Sequence, residues 1–250
     1  MCVGPLSASF RSSNARFRCR AGANLIGVIF AKGSKREVTR EQAREVCEAV
    51  WGFGERDGPE LVSSSSKPYG VKAREFGRRS SKPRVVGVFQ NEDSATINSI
   101  VKECGLDLVQ LHGDEGFEFC SSIDVPCIRV VDIADDDSRD ASVIGGEIVD
   151  RITNECACVL LDTSVKGQGG GAGTVFNWDV AKHVQGCGFP VMVAGGLTAD
   201  NVADVVTAVG CFGVDVSSGV EASYGVKDSD KVTKFVTGAV AAGERVRDGI

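Results

Sequence analysis

R-V-V-G-V-F-Q-N-E-D-S-A-T-I-N-S-I-V-K-E-C-G-L-D-L-V-Q-L, residues 84 to 111, reads as a strand, a helix and a second strand in a row. Arg84 to Phe89 is a short apolar run rich in valine. After a polar break, Ile97, Ile100, Val101 and Cys104 fall at i, i+3, i+4 and i+7, which places them on one face of a helix. Gly105 supplies the stop, and Asp107 to Leu111 resumes an apolar run. A one-faced helix between two closely spaced strands is the unit from which parallel sheets are built.

The pattern repeats on both sides. Upstream, N-L-I-G-V-I-F at 24 to 30 predicts a strand, and a capping box from Thr39 to Gln42 opens the next helix. Downstream, strands are predicted at Pro126 to Val131, Ala157 to Asp162, Pro190 to Ala194 and Cys211 to Val216. A helix capped by Thr198 carries Val202, Val205, Val206 and Val209 on one face, and the closing helix uses Val232, Phe235, Val236 and Val240. Seven strands result, where a closed parallel barrel of this length wants eight. An open doubly wound sheet would begin with a G-x-G-x-x-G that this chain lacks.

Residues 1 to 23 must therefore hold the remaining strand and helix, although C-V-G-P-L-S-A-S-F carries Gly and Pro and makes a poor central strand. The expectation is an α/β protein of the (β/α)8 TIM-barrel type with its first strand atypical or missing. Residues 24 to 250 would be the barrel domain and residues 1 to 23 an N-terminal segment, either a degraded first βα unit or transit-like. Phe53 to Pro83, with S-S-S-S at 63 to 66, is expected to be a flexible insertion after the helix that follows the second strand. An active-site lid is the alternative for that segment.

The formal net charge of −6 gives no general attraction to nucleic acid or anionic lipid, so an anionic ligand must be held locally. No apolar run approaches the roughly 20 residues of a membrane-spanning helix. The ten cysteines are scattered and form no C-x-x-C pair, which predicts reduced, mostly buried thiols. Two histidines, His112 and His183, argue against a multi-histidine metal site. Between Met1 and Arg36 there are seven basic residues and no acidic one, with Ser7, Ser9, Ser12 and Ser13 interspersed. That composition resembles an organelle transit peptide, a solvated basic face being the equal alternative, and leaves the location cytoplasmic or plastid.

In a parallel barrel, chemistry sits at the C-terminal strand ends. Here those ends carry Arg36, His112, Asp162, Gly195, Gly196, Ser217 and Ser218. In C-V-L-L-D-T-S-V-K-G-Q-G-G-G-A-G-T-V-F-N-W, residues 158 to 178, an apolar run ends at Asp162 and a glycine-rich loop follows. This reads as a carboxylate delivered into a glycine-lined cavity, against the plain alternative of a turn cap. A-G-G-L and D-V-S-S-G-V-E, after the last two strands, offer backbone N–H groups and serine hydroxyls in the place where barrels commonly bind phosphate. A phosphorylated small-molecule substrate is expected.

Five ordered motifs carry a family resemblance: G-L-D-L-V-Q-L-H-G-D-E (105 to 115), L-L-D-T (160 to 163), G-G-A-G-T-V-F-N-W (170 to 178), A-G-G-L-T-A-D-N-V (194 to 202) and G-V-D-V-S-S-G-V-E (213 to 221). Together with S-K-R at 34 to 36, they resemble phosphoribosylanthranilate isomerase of tryptophan biosynthesis. The resemblance implies a (β/α)8 barrel that performs an Amadori rearrangement with no cofactor and no metal, as a monomer or homodimer. It implies that Asp162 is the general acid and that Arg36 binds the anthranilate carboxylate. Gly195, Gly196, Ser217 and Ser218 would hold phosphate, with Asp215 and His112 lining the site. Indole-glycerol-phosphate synthase, the histidine-pathway isomerase and a non-catalytic phosphosugar-binding relative are the alternatives.

The family's general base is a Cys in a K-x-C-G motif on the first strand, and no such motif occurs here. Its place falls at Ser7, with Cys2 and Cys19 nearby in a different context. Three explanations compete: a misread N-terminus, a chain without turnover, or an unusual base. The first is preferred, because the strand as a whole and not one residue departs from the pattern. Impaired turnover is the expectation.

Overall fold

The computed structural model describes residues 2–6, 12–54, 82–164 and 175–249. Its sheet contains β1 (Cys2–Leu6), β2 (Leu25–Ile29), β3 (Arg84–Phe89), β4 (Leu108–Leu111), β5 (Cys127–Ala134), β6 (Cys156–Ser164), β7 (Val191–Val193) and β8 (Gly213–Val214). The eight lie in sequence order, with every hydrogen-bonded neighbour parallel. The sheet curls far enough to bring β1 and β8 into contact. Around it run α1 (Ser12–Ala21), α2 (Arg40–Trp51), α3 (Ser94–Cys104), α4 (Ala141–Val149), α5 (Asp179–Gly186), α6 (Val202–Val209) and α7 (Ser229–Asp248).

The first strand is present, which corrects the expectation that it could be missing. It pairs with β2 through Cys2 to Leu25 and Leu6 to Val28, with a register shift between Val3 and Leu6. Pro5 lies inside the shifted stretch and has no N–H to give a ladder, so an irregularity is the physical outcome there. α1 completes the unit and contributes Ala15 and Cys19, both fully buried, to the core. Residues 2–6 and 12–21 are thus part of the same sheet and shell as the rest. The predicted insertion lies outside the described residues from 55 to 81.

Helix ends follow the chemistry of their caps. The Thr39 hydroxyl accepts from Gln42 N while the Gln42 side chain accepts from Thr39 N, which starts α2 as predicted. Asp93 caps α3, and Gly105 ends it in the left-handed conformation at φ 73°. α4 has no counterpart in the sequence reading. A-S-V-I-G-G-E-I-V contains two adjacent glycines, which lower helix propensity enough to mask it.

Period-two alternation along the strands splits the interior in two. One cluster joins the helices to the outer sheet face; the other gathers Leu25, Val86, Leu108, Ile128, Val130, Cys158, Leu160 and Met192 on the inner face. Of nine cysteines among the described residues, Cys187 and Cys211 are half-buried and the other seven are buried. Burial pushes the Cys47 thiol up to about 12 and raises Cys158 as well. No described helix is long and apolar enough to cross a membrane.

Candidate active site

The inner ladder continues past the apolar layer into polar residues. On β6, Cys158, Leu160 and Asp162 share a face; on β5, Ile128, Val130 and Asp132 do, and Asp132 is the register partner of Asp162. Beyond β4 the same step from Leu108 through Gln110 reaches His112, whose N–H donates to Phe89 O at 2.8 Å. The His112 imidazole Nε2 lies 3.8 Å from Asp162 Oδ2 and 3.9 Å from Asp132 Oδ1. These three side chains are the grouping among the described residues whose ligand atoms could close on a metal ion, all within 4.8 Å of one another.

Charge and burial set the protonation of this cluster. Burial, reinforced by Asp215 and Asp132, drives Asp162 up to about 6, against the opposing pull of His112. For His112, burial favours the neutral form, but the nearby carboxylates of Asp132, Asp162 and Asp215 outweigh it and raise its pKa. Asp215, held by its N–H to Val193 O at 2.9 Å, acts on both groups. An acid that keeps its proton to about pH 6 beside a cationic imidazole can protonate a leaving oxygen.

The two loops expected to bind phosphate are packed together. Gly195 adopts φ +81°, and a Cβ there would strike the backbone and side chain of Thr163, next to Asp162. A Cβ on Gly219 would collide with the Leu197 carbonyl, so the loop after β8 lies directly on the loop after β7. Asn201 Nδ2 donates to Gly196 O at 3.0 Å and fixes the first loop. Ser217 Oγ is buried and has no hydrogen-bond partner among the described residues, whereas Ser218 is exposed and opens a short 3-10 turn. An orphaned buried hydroxyl is costly unless a ligand supplies its partner. Ser217→Ala is expected to weaken inorganic phosphate binding by about 1–3 kcal/mol while leaving the melting temperature unchanged or higher, as measured by calorimetric titration and thermal denaturation.

Arg36 does not contact Asp162. Its Nε donates to Glu221 Oε1 at 3.2 Å and its Nη2 to Glu221 Oε2 at 3.0 Å, so a forked pair ties it to the β8 loop. Lys227 Nζ meets Glu221 Oε1 at 3.0 Å and Ser217 O at 2.6 Å. A buried chain of charge thus joins Arg36 to the carbonyl of Ser217. Burial pushes Glu221 up, but the Arg36 fork, the Gly225 backbone N–H and Lys227 hold it below the usual carboxylate range.

The glycine loop after β6 lies outside the described residues from 165 to 174; the chain resumes with Phe176 N donating to Thr163 Oγ1 at 3.1 Å. Ser7 lies outside them as well. Cys19 is buried in α1, away from the strand ends, and Cys2 pairs with Leu25 at the opposite end of the sheet from Asp162, so neither occupies the place of a base. Sequence reasoning missed Arg129, Asp132, Glu221, Tyr224 and Lys227. For Arg129 the signal was a charge inside the apolar run Cys127–Val131.

The family described as N-(5'-phosphoribosyl)anthranilate isomerase matches residues 54–238. The chain belongs to this family. It is 34% identical over 229 residues to N-(5'-phosphoribosyl)anthranilate isomerase of Dehalococcoides mccartyi, which covers 92% of this chain and 88% of that protein. It is 43% identical over 230 residues to the tryptophan biosynthesis protein TRP1 of Phytophthora nicotianae, covering 87% of this chain but 43% of that longer protein. A solved phosphoribosylanthranilate isomerase in complex with reduced 1-(o-carboxyphenylamino)-1-deoxyribulose 5-phosphate superposes with a TM-score of 0.66 at 26% identity, over 96% of this chain and 98% of that one.

Proposed function

We propose that this chain is a phosphoribosylanthranilate isomerase of (β/α)8 barrel form that opens the ribose ring of N-(5'-phosphoribosyl)anthranilate by proton transfer from Asp162 and yields the 1-deoxyribulose 5-phosphate isomer. The observation that carries the reading is the placement of a half-buried Asp162, its pKa raised to about 6, beside two interlocked glycine and serine loops with an unpartnered Ser217 hydroxyl. Phosphate sits on Gly195, Gly196, Ser217 and Ser218, and Arg36 takes the anthranilate carboxylate. His112 and Asp215 line the site and bias Asp162. No cofactor enters the scheme.

Asp162 accounts for the acid half of the rearrangement. The base half requires a group that removes the C2 proton, and β1 leads from Leu6 into Ser7 at the position the family fills with cysteine. An unassisted hydroxyl is a far weaker base precursor than a thiol of pKa roughly 8.5. The test is growth of an isomerase-deficient tryptophan auxotroph carrying either this chain or a variant with a K-x-C-G strand restored around Ser7. Growth is expected only with the restored strand. Equal growth with both would show that the base is not lacking, and failure of both would sink the functional assignment.

A further inference from the structure

After β8 the chain forms a hairpin of β9 (Glu221–Ser223) and β10 (Val226–Lys227), which no part of the acid chemistry uses. Its base is buried and firmly held. Glu221 and Lys227 side chains are 6% and 7% exposed, Lys231 Nζ donates to Glu221 O at 2.9 Å, and Asp228 N donates to Val220 O at 2.9 Å. Its tip is the reverse: Tyr224 is 61% exposed. That ring stands over the Arg36 guanidinium at 4.3 Å from its centroid, with Lys35 Nζ at 5.4 Å.

The hairpin constrains Arg36 in two ways. Glu221 takes the Nε and Nη2 edge, and the guanidinium carbon is held over the face of the Tyr224 ring. A guanidinium has five N–H donors in one plane, and among the described residues nothing bonds Nη1. The edge between Nη1 and the second Nη2 proton is therefore presented as a fixed fork suited to one carboxylate. A carboxylate docked there lies in the guanidinium plane. An aromatic ring conjugated to that carboxylate extends the same plane alongside Tyr224, which an aliphatic acid would not do.

We infer that the β9–β10 hairpin sets aromatic-acid specificity, with Glu221 the positioning residue that aims Arg36 and Tyr224 the specificity-determining residue that selects a planar carboxylate-bearing ring. This rests on Arg36 being the carboxylate site of the proposed reaction. Lys227 extends the device to the phosphate side, because the same ammonium that grips Glu221 also holds the Ser217 carbonyl.

Binding, which requires no turnover, is the test. Calorimetric titration would compare three probes: reduced 1-(o-carboxyphenylamino)-1-deoxyribulose 5-phosphate, the same compound without the ring carboxylate, and inorganic phosphate. Tyr224→Ala is expected to weaken the first probe about tenfold, which is about 1.4 kcal/mol, and Tyr224→Phe to bind within about twofold of the parent, since the ring face is kept. Glu221→Gln is expected to shrink the preference for the carboxylate-bearing probe by about tenfold or more, with phosphate affinity retained. Tyr224→Ala binding as tightly as the parent, or Glu221→Gln weakening all three probes alike, would overturn the inference. If the parent binds phosphate but does not distinguish the first two probes, the carboxylate role of Arg36 fails; if it binds none, the isomerase reading fails with it.

Discussion

Asp162→Asn is expected to lower kcat by about 10²–10⁴-fold in whichever parent turns over, this chain or the strand-restored variant, without loss of the fold. Asparagine keeps the shape and the hydrogen-bonding reach but has no proton to give. The stability side has the opposite sign from a salt-bridged carboxylate. The folded-state pKa of Asp162, about 6, lies above its unfolded value, so its ionisation disfavours folding as pH rises through that window. Removing the charge relieves its desolvation, the largest cause of the shift, and the repulsion from Asp215 and Asp132, which together outweigh the lost attraction of His112. The variant should therefore melt at or above the parent temperature at pH 8. In the active parent, kcat/KM should fall with rising pH above about 6, because the acid must be protonated to act, and that limb should vanish in the residual activity of the variant. A limb that survives the substitution would assign the acid to another group.

The second large effect is on stability. Arg129→Met is expected to cost about 3–5 kcal/mol in urea denaturation, although methionine fits the volume of the arginine stem. Arg129 is buried and donates to Glu115 O at 2.6 Å, Leu111 O at 2.8 Å, Val130 O at 2.6 Å and Gly113 O at 2.7 Å. Three of those carbonyls belong to the turn that carries His112 away from β4. Glu115 closes the turn from the other side by accepting from Asn91 N and from Gly113 N. Without the guanidinium the buried Leu111 and Val130 carbonyls and the half-buried Gly113 and Glu115 carbonyls lose their donor, and the imidazole loses its support. A loss below about 1 kcal/mol would mean that water or another donor replaces the side chain.

The repeating βα pattern was legible because burial acts on it everywhere in the same way. A helix packed on a sheet must carry its apolar residues on one face, and α3 and α6 show this directly. The site was legible where a strand end coincides with a distinctive local motif, as at Asp162, His112 and the loops at Gly195 and Ser217. β1 resisted because its register shift interrupts the alternation, and α4 because its glycines hide the helix. Glu221, Tyr224 and Lys227 could not be assigned from sequence spacing. Their meaning comes from Arg36, which is 185 residues away from Glu221 in the chain and bonded to it in space. Asp132 follows from the same ladder as Asp162 once the two strands are in register, but register between strands is not written in either strand alone.

The distribution of cysteines has a consequence for how this molecule ages. With Cys19, Cys47, Cys104, Cys120, Cys127, Cys156 and Cys158 buried and their sulfurs spread from α1 to β6, an oxidant or alkylating agent in solution meets few of them in the closed protein. Thiol damage is thereby coupled to opening of the chain, and each opening exposes several sulfurs at once. A molecule that stays folded keeps its thiols intact, while one that has opened and been modified at several sulfurs is poorly placed to close again.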